Sequence, residues 1–274
     1  MASLREIRRS LRSTQNTKQI MRAMQMVSAS KLKRAQGRML QGRMVLEFLD
    51  GLIARVLASA EQPRGASPEQ RRGTAASGLT HPLCAVRPAG ASALVLFTSD
   101  AGLCGAYNAN LIQLAESHLR RDSARATQVI YIGKKGHRYF TKRGYPAAES
   151  YIDLAGRPDP KKAEAIGRAL IARFLSGQVA SVDVLYSRFV SSMVYRPTLT
   201  RWLPIAISHQ PSAISNQQEY IFEPSPARVY EELLPRWALA KFQLFLFEAF
   251  TSEHSARMIA MKNATDNAQT LIEE

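Results

Sequence analysis

The chain has 274 residues, 46% hydrophobic and 22% charged, which is enough apolar material for a sizeable core and argues against wholesale disorder. Its formal net charge of +15 and isoelectric point near 10.2 call for acidic or polyanionic partners. No run of about 18 apolar residues suggests a transmembrane helix, and the start, Met1-Ala2-Ser3-Leu4-Arg5-Glu6, lacks the apolar stretch of a secretory signal.

Residues 1–60 hold 12 Lys/Arg against 3 Asp/Glu, whereas 228–274 hold 5 against 7, so the basic charge is concentrated toward the N-terminus. From residue 3 to about 60 there is no proline. Apolar residues fall at Leu4, Ile7, Leu11, Met21, Met24, Leu32, Ala35, Met39, Leu46, Leu49, Ile53 and Val56. Steps of three, four and seven predict a helix with a partly heptad pattern. Ser3 followed by Glu6 reads as a capping box. Such a helix would be ~85 Å long at ~1.5 Å per residue, too long to stand without a partner helix. Gly37, Gly42 and Gly51 each weaken that helix by up to ~1 kcal/mol relative to Ala and leave room for a bend or break. Thr14, Lys18, Gln25 and Ser28 fall on the seam where a rigid pair would carry Leu or Ile. Two readings fit that pattern: a helix that packs only in part, or a surface that must not grip its surroundings.

Residues 61–90, with Gln62-Pro63-Arg64-Gly65-Ala66-Ser67-Pro68 and Arg71-Arg72-Gly73, read as a linker without regular structure. From 91 to 226 strands alternate with helices. Ala93 to Phe97 is a buried strand, followed by the turn Asp100 to Gly105 and a helix through Leu111, Leu114, Ala115 and Leu119. Val129 to Ile132 is a second strand ending at Gly133. Pro160 opens a helix that Gly177 closes, and Val182 to Tyr186 is a third strand. Thr198 to Ile207 and Tyr220 to Glu223 read as antiparallel edge additions. The pattern predicts a small α/β domain. A second long helix starts near Ala227, is open to a kink at Pro235, and runs to 274. Its apolar residues after Phe250 are mostly small, so a partner backbone can approach closely.

Chemistry-bearing motifs are scarce. The turn Thr98 to Gly105 lies between strand and helix, where a phosphate site would fall, but it has neither the GxGxxG spacing nor a Walker lysine. It reads as a tight turn with a helix cap. Cys84 and Cys104 read as reduced thiols, Cys104 as a small buried one without a base beside it. Asp100 and Asp183 read as structural hydrogen-bonding groups. No catalytic set, metal cluster or cofactor motif is evident. Met21, Met24, Met26 and Met39, with Met258 and Met261, read as seam filler, and Lys31, Lys33, Arg34 and Arg38 as a solvated basic face with little acid around it.

Three stretches carry a resemblance. Leu4-Arg5-Glu6-Ile7-Arg8-Arg9 through Asn16-Thr17-Lys18-Gln19-Ile20 to Ala23-Met24-Gln25-Met26-Val27-Ser28-Ala29-Ser30-Lys31-Leu32 is the first. Thr98-Ser99-Asp100-Ala101-Gly102-Leu103-Cys104-Gly105 with Asn108 and Asn110 is the second. Ser252-Glu253-His254-Ser255-Ala256-Arg257-Met258-Ile259-Ala260-Met261-Lys262-Asn263-Ala264-Thr265-Asp266-Asn267-Ala268 is the third and most diagnostic. In this order they resemble the gamma subunit of F-type ATP synthases, the central rotor stalk.

The resemblance implies an antiparallel coiled coil of the two terminal helices (1–60 and 227–274) beside a small Rossmann-like α/β domain. It implies a non-catalytic subunit of a proton-translocating complex, peripheral on the cytoplasmic side of a bacterial membrane. There it would couple rotation of the c-ring to catalysis on beta subunits. The implied partners are the alpha, beta and epsilon subunits and the c-ring. Met24, Lys31, Lys33 and Arg34, with Arg257 across from them, are expected at the contact with beta. The family's last helix normally runs roughly two dozen residues further, ~35–40 Å at ~1.5 Å per residue. The resemblance therefore implies either an incomplete sequence or a shaft without its bearing end. Two other classes compete: a basic coiled-coil nucleic-acid-binding protein, resting on the charge, and a nucleotide-using α/β enzyme, resting on the Asp100 to Gly105 turn.

Overall fold

The computed structural model describes residues 4–61, 79–121, 126–154, 156–157, 159–206 and 222–274. Helix α1 spans Leu4–Glu61, 58 residues without interruption, and α5 spans Pro226–Glu273, 48 residues. Between them lie β1 (Ser92–Phe97), α2 (Tyr107–Arg121), β2 (Thr127–Ile132), α3 (Lys134–Thr141), β3 (Ala147–Tyr151), α4 (Pro160–Leu175), β4 (Ser181–Phe189) and β5 (Tyr195–Leu203). The helix runs unbroken through Gly37, Gly42 and Gly51, the places left open to a break. A Cβ added at Gly42 would sit 3.7 Å from Leu244 and Phe247 of α5, an ordinary packing distance, and one added at Gly37 or Gly51 would meet nothing within 4 Å, so no glycine of α1 marks a close approach that needs its missing side chain.

The sheet has the order β3-β2-β1-β4-β5, parallel except for β5, which runs antiparallel to β4. Side chains alternate across it, as the two-residue period of a strand requires. Leu94, Leu96, Val129 and Tyr131 meet Leu111, Ala115 and Leu119 of α2 and Phe140 of α3 on one face. Ala93, Val95, Phe97, Ile130, Val182 and Val184 meet α4 and the long helices on the other. Strands covered on both faces are mostly apolar along their length, which is why β1 reads as an apolar run from Ala93 to Phe97.

Several sequence expectations need correction. The stretch read as linker has a built far end. Pro82–Cys84 form a 3-10 turn, Leu83 is fully buried, and Ile205 N–H donates to the Leu83 carbonyl at 2.8 Å. Residues 62–78 of that stretch, and Ser3 of the capping box, lie outside the described residues. β5 starts at Tyr195 rather than Thr198 and stops at Leu203, not Ile207. It tolerates Pro197 because its far side pairs with no other strand of this sheet. Of the second extended stretch, Tyr220 and Ile221 lie outside the described residues, and Phe222 and Glu223 belong to no strand. Helix α5 passes through Pro235, which sits in its third turn. Helix α3 and strand β3 had no counterpart in the sequence reading.

Candidate functional site

Helices α1 and α5 lie antiparallel along almost their whole length. Lys18 reaches Gln269, Arg43 pairs with Glu248 at 2.6 Å, and Trp237 Nε1–H donates to Asp50 at 2.5 Å, so one number rises as the other falls. The seam of α1 follows a heptad step. Thr14, Lys18, Met21 and Gln25 are half-buried, and Ser28, Leu32, Ala35, Met39, Leu46, Ile53 and Val56 are buried. Thr14, Lys18, Gln25 and Ser28 therefore stand on the seam, where the sequence reading put them.

The pair changes character along its length. From Leu4 to Val27 no residue of α1 is buried, and Lys18 reaches Gln269 near the end of α5. Below that, α5 is encased: every residue from Leu244 to Arg257 is buried, between α1 on one side and the α/β layer on the other. The result is a bare two-helix shaft rising from a clamped base. Between Leu4 and Leu46 α1 holds 11 Lys/Arg and one acid, Glu6. Arg5, Arg8, Arg9, Arg12, Arg22, Lys33, Arg34 and Arg38 are all exposed on it.

The five residues expected at a partner contact divide into three groups. Lys33 and Arg34 point outward and are exposed. Met24 and Lys31 are half-buried at the edge of the seam, and the Lys31 charge acts on Glu253 and His254 of α5. Arg257 is buried with 9% of its surface exposed and is directed into the α/β layer. It pairs with Glu253 at 2.8 Å and donates to the carbonyls of Gly102 and Ala101, each at 3.2 Å. Burial raises the Glu253 pKa, and the charge and hydrogen bond of Arg257 pull it back. Arg257 thus bonds Glu253, on which the Lys31 charge also acts, while Lys33 and Arg34 stand apart on the outer face.

The Asp100 to Gly105 turn is held by its own side chains. Asn108 Oδ1 accepts from Ser99 N–H at 3.0 Å, Asn108 Nδ2 donates to Ser99 Oγ at 2.8 Å, and Asp100 accepts from the N–H groups of Lys134 and Asp153. Cys104 is buried, 3.1 Å from Asn108 Nδ2, and burial pushes its thiol pKa up, away from the reactive thiolate. Asp183, buried in mid-sheet, accepts two bonds from Arg201 at 2.8 and 2.9 Å. Both aspartates act as the structural groups expected. A cleft of about 550 Å³ opens beside the turn, between Leu103, Asn108, Ile112 and Lys135. The sequence reading missed the α5 segment packed against this turn. Its one signal was the run of small side chains after Phe250.

Comparison with known proteins agrees with this geometry. A family model described as ATP synthase matches residues 3–274. The ATP synthase gamma chain of Moorella thermoacetica is 37% identical over 274 residues, covering 100% of this chain and 90% of the relative. That of Roseiflexus sp. is 39% identical, covering 99% and 89%. Among solved structures, a chain of the Tetrahymena thermophila mitochondrial ATP synthase central stalk and c-ring matches with a TM-score of 0.61 at 21% identity, covering 89% of this chain and 99% of that one. A rotor chain of the Euglena gracilis mitochondrial enzyme also gives 0.61, at 15% identity, covering 97% and 92%.

Proposed function

The chain belongs to the ATP synthase gamma-chain family, and we propose from that premise that it is the central-stalk subunit whose paired helices turn within a ring of alpha and beta subunits. The observation that carries this reading is the change along the α1–α5 pair, from an encased base to a bare shaft with a polar seam and a basic outer face. A shaft that turns inside a stator needs stiffness along its axis and no deep apolar surface that would lock it at one angle. Exposed charge pairs are worth only ~0–1 kcal/mol each, so they form and break as the shaft turns.

In this reading Lys33 and Arg34 meet acidic side chains of beta, Met24 and Lys31 line the edge of that contact, and Arg257 supports it from behind. The subunit carries no catalytic group of its own, and ATP chemistry takes place on beta. It sits peripherally on the cytoplasmic face of a bacterial membrane, with the α/β layer against the epsilon subunit and the c-ring. The nucleic-acid reading has the net charge alone in its favour.

Co-expression with the alpha and beta subunits tests the proposal. The chain is expected to co-purify in a single complex that hydrolyses ATP, and Lys33→Cys is expected to crosslink to beta. Failure to co-purify would overturn the shaft reading. Co-purification without any crosslink from 33 or 34 would overturn the placement of the contact.

A further inference from the structure

In open doubly wound sheets the crevice beyond the carboxyl ends of the strands, where the strand order reverses, is where ligands are held. Here the reversal is at β1, with β2 on one side and β4 on the other. That crevice is filled by α5. Seven successive residues, Thr251 to Arg257, are buried around the whole circumference of the helix, and all but Ala256 are polar or charged. A helix buried all round is ordinarily apolar all round.

Four of these six polar residues reach backbone carbonyls at the carboxyl edge of the sheet, while Thr251 bonds the Phe247 carbonyl of its own helix and Glu253 pairs with Arg257. Ser252 Oγ donates to the Ser187 carbonyl of β4 at 2.9 Å, and Ser255 Oγ donates to the Ser192 carbonyl in the turn after β4. His254 Nε2 lies 2.8 Å from the Gly156 carbonyl, beyond β3, and Arg257 holds the Ala101 and Gly102 carbonyls beyond β1. Four side chains within two turns of helix pin the ends of three strands.

We propose that Ser252, His254, Ser255 and Arg257 are positioning residues that fix one angular register between the shaft and the α/β layer, so that twist passes between them without slip. The proposal rests on the shaft reading. Apolar packing is non-directional and permits sliding, whereas hydrogen bonds to fixed carbonyls are directional. One residue along an α-helix is a turn of about 100° and a rise of ~1.5 Å, so no neighbouring register presents the same donors to the same carbonyls. A slipped register would bury unpaired donors and acceptors, which is costly. The backbone beside the lock is held under strain: Leu103 sits at φ 60, in the left-handed region that a leucine adopts only where its surroundings hold it. The Arg257 bonds fall on the two residues just before it.

The test uses the whole complex in membranes, with three variants: Arg257→Gln, Arg257→Lys and the double Ser252→Ala/Ser255→Ala. Amide hydrogen exchange over 99–106 and 187–194 reports the lock directly, and protons pumped per ATP hydrolysed reports the passage of twist. In the Arg257 variants exchange over 99–106 is expected to quicken about tenfold, with Lys giving the smaller change, and in the serine double the same holds over 187–194. In the serine double, pumping per ATP is expected to fall at least twofold while ATP hydrolysis stays within twofold. Arg228→Gln, which breaks an exposed ion pair with Glu231, is expected to change neither. Should Arg257→Gln fail to assemble, the serine double decides. Wild-type exchange and pumping in that double would overturn the lock. If the unaltered chain does not assemble with alpha and beta, the shaft reading fails, and exchange in the chain alone still decides whether the joint exists.

Discussion

The imidazole of His254 lies between a group that can only donate and a group that can only accept, and together they set its state. Arg257 Nη1 is 3.4 Å from Nδ1 and must donate to it, so Nε2 carries the proton and donates to the Gly156 carbonyl at 2.8 Å. Burial, aided by the Arg257 and Lys31 charges and opposed by the Gly156 bond, pushes the pKa from 6.5 down to about 4. On acidification the unfolded chain binds a proton near pH 6.5 that the folded chain refuses until about 4, so stability is lost as pH falls through that window. Glu253 acts in the opposite sense: its raised pKa means the folded chain takes up that proton first. Comparison with His254→Gln isolates the imidazole. Between pH 6.5 and 5.5 the wild type is expected to lose about 1 kcal/mol relative to the variant in urea unfolding, and a constant gap would refute the assignment. Two glycines give a second, opposed pair. At Gly133 (φ 101) an added Cβ would lie 2.0 Å from the Thr98 carbonyl oxygen, so Gly133→Ala is expected to cost about 3 kcal/mol or more. At Gly37, in mid-helix with nothing within 4 Å, Ala is expected to stabilise by about 0.5–1 kcal/mol. Thermal melts of the two variants, shifting in opposite directions, check both.

At the scale of elements, the polar seam makes a prediction about the upper shaft. Thr14 and Gln25 are half-buried on the heptad step, where Leu would bury about one further apolar side chain each. Thr14→Leu/Gln25→Leu is expected to slow amide exchange over 4–27 about tenfold, a gain of about 1–2 kcal/mol, while leaving 32–57 unchanged. Unchanged exchange over 4–27 would mean that the seam does not close there. The same positions show how much of the fold the sequence made readable. The heptad of α1 and the apolar runs of β1, β2 and β4 were legible because burial on a fixed face, or on both faces, leaves a periodic or continuous apolar record. Helix α3 left none: it has eight residues, with Gly136 and Phe140 its only buried ones. Strand β3, Ala-Ala-Glu-Ser-Tyr, pairs on one side only and is never fully buried, so it needs no strong strand formers. Lys33 and Arg34 were readable as an exposed basic face. The inward turn of Arg257 was not, because the partners that draw it in from outside its own helix are main-chain carbonyls about 155 residues away in sequence, and carbonyls have no residue type to recognise.

For the whole molecule, charge and shape act together. About half of the excess of +15 resides on α1, with 12 Lys/Arg against 4 Asp/Glu, and along the upper shaft that charge faces outward from a seam too polar to bury much apolar surface. Whatever surrounds the shaft therefore meets it through exposed, screened electrostatics, while the rigid attachment to the rest of the rotor lies in the encased base. These two demands separate in a charge-reversal variant. Lys33→Glu/Arg34→Glu replaces attraction to an acidic stator by repulsion, at about 0.5 kcal/mol for each change of sign and little more, since both side chains are exposed. Folding and assembly are then expected to survive, because neither residue touches the core. ATP-driven proton pumping is expected to fall about threefold or more at low salt. Screening shortens from ~10 Å at 0.1 M to ~3 Å at 1 M salt, so adding salt is expected to bring variant and wild type together. Pumping and hydrolysis measured side by side over a salt series check this. A defect that persists undiminished at high salt would place Lys33 and Arg34 in a packed contact, and the basic face would no longer be a surface the shaft turns against.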